Sequence, residues 1–220
     1  MVRMLEHELV GARDKGSGKL AVVLHGLGDS MEGYRWFPEM LRLPWLNVML
    51  VNAPDSYYGG YSWYDFAGDA QTGVVRSRGM LMELLDHCRD KEGYASEDTV
   101  LFGFSQGCLM TVDVGLRYGH RLGGLVGVSG YVHRPEALLV ELSAHAKEVP
   151  VLITHGTQDP LVPFEPARGQ FEQLKSAGLK LEWQAFQKVH TIDGERELGV
   201  IRGFIERVLG AGREAGSAER

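Results

Sequence analysis

Short, almost wholly apolar runs alternate along this chain with longer stretches whose apolar residues recur at helical spacing, and no other feature narrows the fold as far. Leu20 to His25 is one such run, set between Gly16-Ser-Gly18 and Gly26-Leu-Gly28, and reads as a buried strand. Leu46–Asn52, Thr99–Phe102, Gly124–Val128 and Val151–Thr154 repeat the pattern, and Leu179–Phe186 alternates in part. Helices are expected over 74–89, 108–118, 135–147, 164–177 and 192–209; in the first of these, Val74, Val75, Leu81, Met82, Leu84, Leu85 and Cys88 recur at helical spacing. Strands that are apolar on both faces must be covered on both faces. The order therefore predicts an α/β fold, a mostly parallel central sheet with helices on either side.

With 44% hydrophobic residues, the 220-residue chain can fill a core of that kind. No repeat or linker divides it, so residues 1–210 are expected to form one domain. The tail 211–220 has no large apolar residue and is expected to fray. The formal net charge is −6 and no long basic run occurs, which argues against nucleic acid or an anionic membrane surface as a partner. No apolar run approaches the roughly 18 residues needed to span a bilayer, and Glu6, His7 and Glu8 stand where a signal peptide would be apolar. Two cysteines cannot make a disulfide framework or a four-thiolate metal site and fit a reducing compartment. A cytoplasmic location is expected; monomer and homodimer stay open.

Ligands of such sheets collect at the carboxyl ends of the strands. At one of these ends stands Gly103-Phe-Ser-Gln-Gly107, a G-x-S-x-G motif entered by the strand 99–102 and left by the helix 108–118. That context can hold Ser105 at the apex of a sharp turn, at a helix N-terminus that favours developing negative charge. The bland reading is a glycine-rich connection with an incidental serine.

A serine hydroxyl needs a base, and the base needs an orienting acid; in α/β-hydrolase order the acid follows the serine and the histidine comes last. Between Ser105 and the last histidine, Asp113, Glu136, Glu141, Glu165 and Glu172 lie in expected helices, Glu148 precedes a strand and Glu182 lies inside one. Only Asp159, in His155-Gly-Thr-Gln-Asp159-Pro160, directly follows a strand, and only His190 lies beyond it. Singly, Asp159 could be a turn-former before Pro160 and His190 a surface or capping residue. Their shared edge and order favour Ser105, Asp159 and His190 as a catalytic triad. Two backbone donors are then needed for an oxyanion: the N–H of Gln106, after the serine, and that of Leu27 in the His25-Gly-Leu-Gly-Asp29 loop. The rival reading of that loop as a dinucleotide-binding turn wants glycine where the chain has Met31.

Six aromatics fall between residues 57 and 66. Trp63 and Tyr64, with Leu161 beyond the acid, are candidate walls of a substrate pocket; the alternative is that the aromatics merely pack their loop onto the sheet. Tyr57, Tyr58 and Tyr61 are expected to be more mobile around Gly59-Gly60.

These motifs, together with Asn52-Ala-Pro54, Trp63-Tyr-Asp65, Ser129-Gly-Tyr131, His155-Gly-Thr-Gln-Asp-Pro-Leu-Val-Pro163 and His190-Thr-Ile192, resemble the phospholipase/carboxylesterase family, which includes acyl-protein thioesterases and small bacterial carboxylesterases. The matches run in order from about residue 20 to 205. The resemblance implies a compact α/β-hydrolase without a large cap domain. It also implies hydrolysis of carboxylic esters, thioesters or lysophospholipids through an acyl-enzyme, on a small-molecule or acylated substrate, with no cofactor and no metal. The family usually has glycine where this chain has Cys108 and Val189. Cys108 is expected to pack as a small hydrophobe beneath the turn, and Val189 to narrow the loop carrying His190. The alternative from another class is a small-molecule-binding sensor on the same fold, with slow or single turnover.

Overall fold

In the computed structural model, which describes residues 4–210, the six apolar runs and one further edge strand form one seven-stranded sheet in the order β1-β3-β2-β6-β7-β8-β9. Its strands are β1 His7–Val10, β2 Lys19–Leu24, β3 Leu46–Val51, β6 Thr99–Phe104, β7 Gly124–Val128, β8 Val151–Gly156 and β9 Leu181–Phe186. All neighbours run parallel except β1, which pairs antiparallel with β3 at one edge. A separate hairpin of β4 Asp55–Tyr57 and β5 Gly60–Ser62 lies between β3 and the first long helix. The helices are α1 Phe37–Leu41, α2 Ala70–Asp90, α3 Gln106–Gly115, α4 Pro135–Val140, α5 Phe164–Ser176 and α6 Gly194–Leu209. The fold is that of an α/β-hydrolase, and the tail 211–220 lies outside the described residues.

Strand periodicity divides the core in two. Leu20, Val22 and Leu24 face a layer containing Val74 and Leu84 of α2, Leu109 of α3 and Phe171 of α5. Ala21 and Val23 face the other layer, formed by Phe37 of α1 and Leu198, Ile201, Phe204 and Ile205 of α6. On α6 these four residues make one apolar stripe, which is why the segment folds as an amphipathic helix rather than a strand.

Several expectations need correction. The helix expected over 135–147 ends at Val140, because the Ser143 amide donates to Leu116 O beyond α3 and draws the chain aside. Strand β1 escaped notice because a four-residue edge strand carrying His7 and Glu8 has no apolar run to announce it. Tyr57 and Tyr61 lie in β4 and β5, and Tyr58 forms the turn with Gly59, both with positive φ, the geometry of a tight two-residue hairpin.

Strand order reverses between β2 and β6, since β3 lies on one side of β2 and all later core strands lie on the other. The register Leu24↔Gly103 brings the loop after β2 beside the turn after β6 at this switch point.

Candidate active site

The Ser105 turn is set by close approach of backbones. A Cβ at Gly103 would lie 2.0 Å from Gly107 O, and one at Gly107 would lie 2.2 Å from Leu24 O, so neither position accepts a side chain without displacement of the sheet. Between them Ser105 adopts φ 55 and ψ −114, a conformation sparsely populated by non-glycine residues. Its amide donates to Val128 O at 2.9 Å, and its carbonyl accepts from Leu109 N–H at 3.2 Å. These bonds fix the backbone and leave the hydroxyl free to point away from the sheet.

His190 stands in the link between β9 and α6, Asp159 in the turn after β8. The Ser105 hydroxyl lies 2.9 Å from His190 Nε2, and His190 Nδ1–H donates to Asp159 Oδ2 at 2.7 Å. Asp159 Oδ1 accepts the amides of Leu161 and Val162, both at 2.9 Å. Burial alone would push the Asp159 carboxyl up; the Val162 amide, His190 and the Leu161 amide together outweigh it and hold the group below its ordinary value.

His155 packs behind this turn, stacked on Trp183 with ring centroids 5.5 Å apart. Its Nε2 is 3.8 Å from Asp159 Oδ2 but bonds to Val162 O at 2.9 Å. Burial lowers its pKa, so it is a neutral brace and not an ion-pair partner of the carboxylate.

The Leu27 and Gln106 amides have no acceptor among the described residues. Gln106 is the first residue of α3 and has no intrahelical partner to offer its N–H to. The loop bearing Leu27 is tied down on three sides. His25 Nδ1–H donates to Gly26 O at 2.6 Å while His25 Nε2 accepts from Ala53 N–H at 3.0 Å, which fixes one neutral tautomer; burial lowers its pKa as well. Trp63 Nε1–H donates to His25 O at 2.9 Å. Gly28 N–H and Tyr61 O, with Tyr61 N–H and Asp29 O, form a reciprocal pair, both at 2.8 Å. The Gln106 side chain completes the frame, accepting from Trp63 N–H at 3.0 Å and donating to Tyr64 O at 3.1 Å.

A cavity of about 320 Å³ opens beside Ser105 and His190, walled by Leu27, Tyr64, Phe66, Phe104, Tyr131 and Leu161. Tyr64 and Leu161 thus lie where the sequence expectation put them. Trp63 does not: it is fully buried behind the wall, where its indole N–H is engaged with His25 O. Hydrogen bonds from its indole to His25 O and from its amide to the Gln106 side chain hold it there, in the bend that follows β5. Phe66, from the 57–66 aromatic cluster, also joins the wall, as do Phe104 and Tyr131, which sequence reasoning does not single out for it. The signal available was position, just past a strand's carboxyl end. Tyr131 and Tyr64 share a hydrogen bond of 2.8 Å between their hydroxyls. Cys108 is fully buried against Gly127 and Gly130, and burial pushes its thiol up to about 12. Val189 is half exposed and does not line the cavity.

A model of the phospholipase/carboxylesterase family matches residues 5–209. The chain belongs to that family. It is 34% identical over 208 residues to an acyl-protein thioesterase 1 of Schizosaccharomyces pombe, covering 86% of this chain and 91% of that protein. A carboxylesterase of Arabidopsis thaliana, SOBER1, is 33% identical over 203 residues, with 84% of this chain and 89% of the other covered. Among solved structures, esterase PE8 superimposes with a TM-score of 0.82 at 27% identity, covering 94% of this chain and all of the other. Membership of the phospholipase/carboxylesterase family makes the chain a hydrolase of carboxylic esters. Among the described residues no helix is long and apolar enough to cross a membrane.

Proposed function

We propose that this member of the phospholipase/carboxylesterase family cleaves carboxylic esters and thioesters through an acyl-enzyme on Ser105. The observation that carries the reading is the unbroken hydrogen-bond chain from Ser105 through His190 to Asp159, at the mouth of an apolar cavity. His190 removes the serine proton as Oγ attacks the acyl carbonyl. Asp159, accepting from Nδ1–H, keeps Nε2 free to act as base and stabilises the imidazolium that forms. The oxyanion takes the free N–H groups of Leu27 and Gln106, donors of a type worth roughly 3–4 kcal/mol each. His190 returns its proton to the leaving alcohol or thiol, and water repeats the sequence to release the acid. No cofactor enters any step.

The cavity suits the acyl group. Tyr64 and Leu161 supply apolar wall, and about 320 Å³ is at the small end of ligand pockets, which span roughly 300–1,000 Å³. An acyl chain of modest length therefore fits better than a long fatty chain. Hydrolysis of activated acyl esters of increasing chain length tests this, beside Ser105→Ala. A length optimum at short to medium chains is expected, with kcat reduced by about 10⁶-fold in the variant. Turnover that survives Ser105→Ala would overturn the assignment of the nucleophile.

A further inference from the structure

His190 is carried by a segment with almost no regular support. Between the end of β9 at Phe186 and the start of α6 at Gly194, its backbone bonds include Lys188 N–H to Phe186 O, Thr191 N–H to Val189 O and Gly194 N–H to Ile192 O, each spanning two residues. Local bonds of this kind do not fix a ring to the tolerance that proton transfer needs, about half an ångström.

Lys188 and Glu197 supply what the backbone lacks. The Lys188 ammonium donates to Thr191 O at 2.7 Å and to both carboxylate oxygens of Glu197, at 2.6 and 2.8 Å. All three of its protons have acceptors. Glu197 Oε2 also accepts the Asp193 amide at 2.6 Å. The pair thus closes a ring around the link, touching it on both sides of His190. On the other flank, Lys188 O accepts from Gln158 N–H at 3.1 Å, next to Asp159 in the turn that holds the acid. The Lys188 side chain is 3% exposed and that of Glu197 is wholly buried. Burial lowers the Lys188 pKa, an effect that the Glu197 carboxylate opposes.

Two buried charges are a poor way to gain stability, because well-packed apolar residues of similar volume commonly do as well or better. What an apolar pair cannot do is bond to Thr191 O and the Asp193 amide at fixed distances. We propose that Lys188 and Glu197 are positioning residues that hold the His190 imidazole in line between Asp159 and Ser105. The inference rests on His190 being the base, as argued above.

The test replaces the pair by apolar residues, Lys188→Met with Glu197→Leu, and compares it with wild type and with Glu197→Gln, which keeps an acceptor but not the charge. The double variant is expected to melt at or above the wild-type temperature while kcat falls roughly ten- to hundred-fold, the scale of a misplaced catalytic group. KM should stay within about two-fold, since neither residue lines the cavity. Glu197→Gln should lie between the two in kcat. By proton NMR, the downfield signal of the Asp159–His190 hydrogen bond should sharpen in wild type and broaden or vanish in the double variant. A folded double variant with wild-type kcat and an intact downfield signal overturns the clamp. Should the double variant not fold, a folded Glu197→Gln with unchanged kcat does the same. If Ser105→Ala leaves turnover intact, the reading of the site fails instead, and the downfield signal still decides the clamp because it needs no turnover.

Discussion

Ser105 and His190 reach one hydrogen bond from regions built on different physics. The serine side is held by sterics: Gly103 and Gly107 let three backbones meet, and no charged group takes part. The histidine side is held by side-chain polarity: a buried ammonium–carboxylate pair and a chain of hydrogen bonds span a link with no regular structure of its own. A region fixed by close packing tolerates changes of pH but not added atoms. A region fixed by buried charge accepts changes of shape more readily than the loss of one partner.

Breaking each side separately should expose that contrast. Lys188→Ala leaves Glu197 buried without its cation, and the expected loss is about 3–5 kcal/mol in urea unfolding. Gly107→Ala changes no charge but places a methyl 2.2 Å from Leu24 O; a loss of about 1–3 kcal/mol is expected by the same measurement. Ser105→Gly should raise stability by about 1 kcal/mol, because glycine accepts the positive φ that serine is forced to adopt, while activity disappears.

The smallest effect is on pH. Asp159 titrates below its ordinary value in the folded chain, so its ionised form favours folding. That contribution is complete above the unfolded value of about 3.9 and is lost as pH falls through the lower, folded value. Melting curves from pH 6 to 3 should therefore fall less steeply for Asp159→Asn than for wild type. Equal slopes would show that the carboxylate is not held by its amides and His190.

The same contrast governs what could be read in advance. The serine turn was legible because its requirements are local: two glycines, a strand before and a helix after. Asp159 and His190 were legible through chain order and strand ends, with no knowledge of their supports. The Lys188–Glu197 pair was not. Glu197 sits among Glu195 and Arg196 in what reads as a solvated first turn, and only the tertiary fold buries it under the link. Trp63 differs from its expected place for a related reason: an aromatic cluster suggests a wall but does not show that His25 O takes the indole N–H behind it. Strand β1 and the β4–β5 hairpin are too short to carry a periodic signal.

Cys108, packed beneath the serine turn, has a consequence for how the protein meets oxidants. Peroxides and disulfides react with an accessible thiolate. Cys108 and Cys88 are both buried, and desolvation pushes each thiol up to about 12. At neutral pH neither sulfur is ionised or reachable, even though Cys108 stands only three residues after the nucleophile. Neither cysteine is therefore a site through which thiol oxidants reach the active site, and thiol-specific reagents should leave the native protein active until it unfolds.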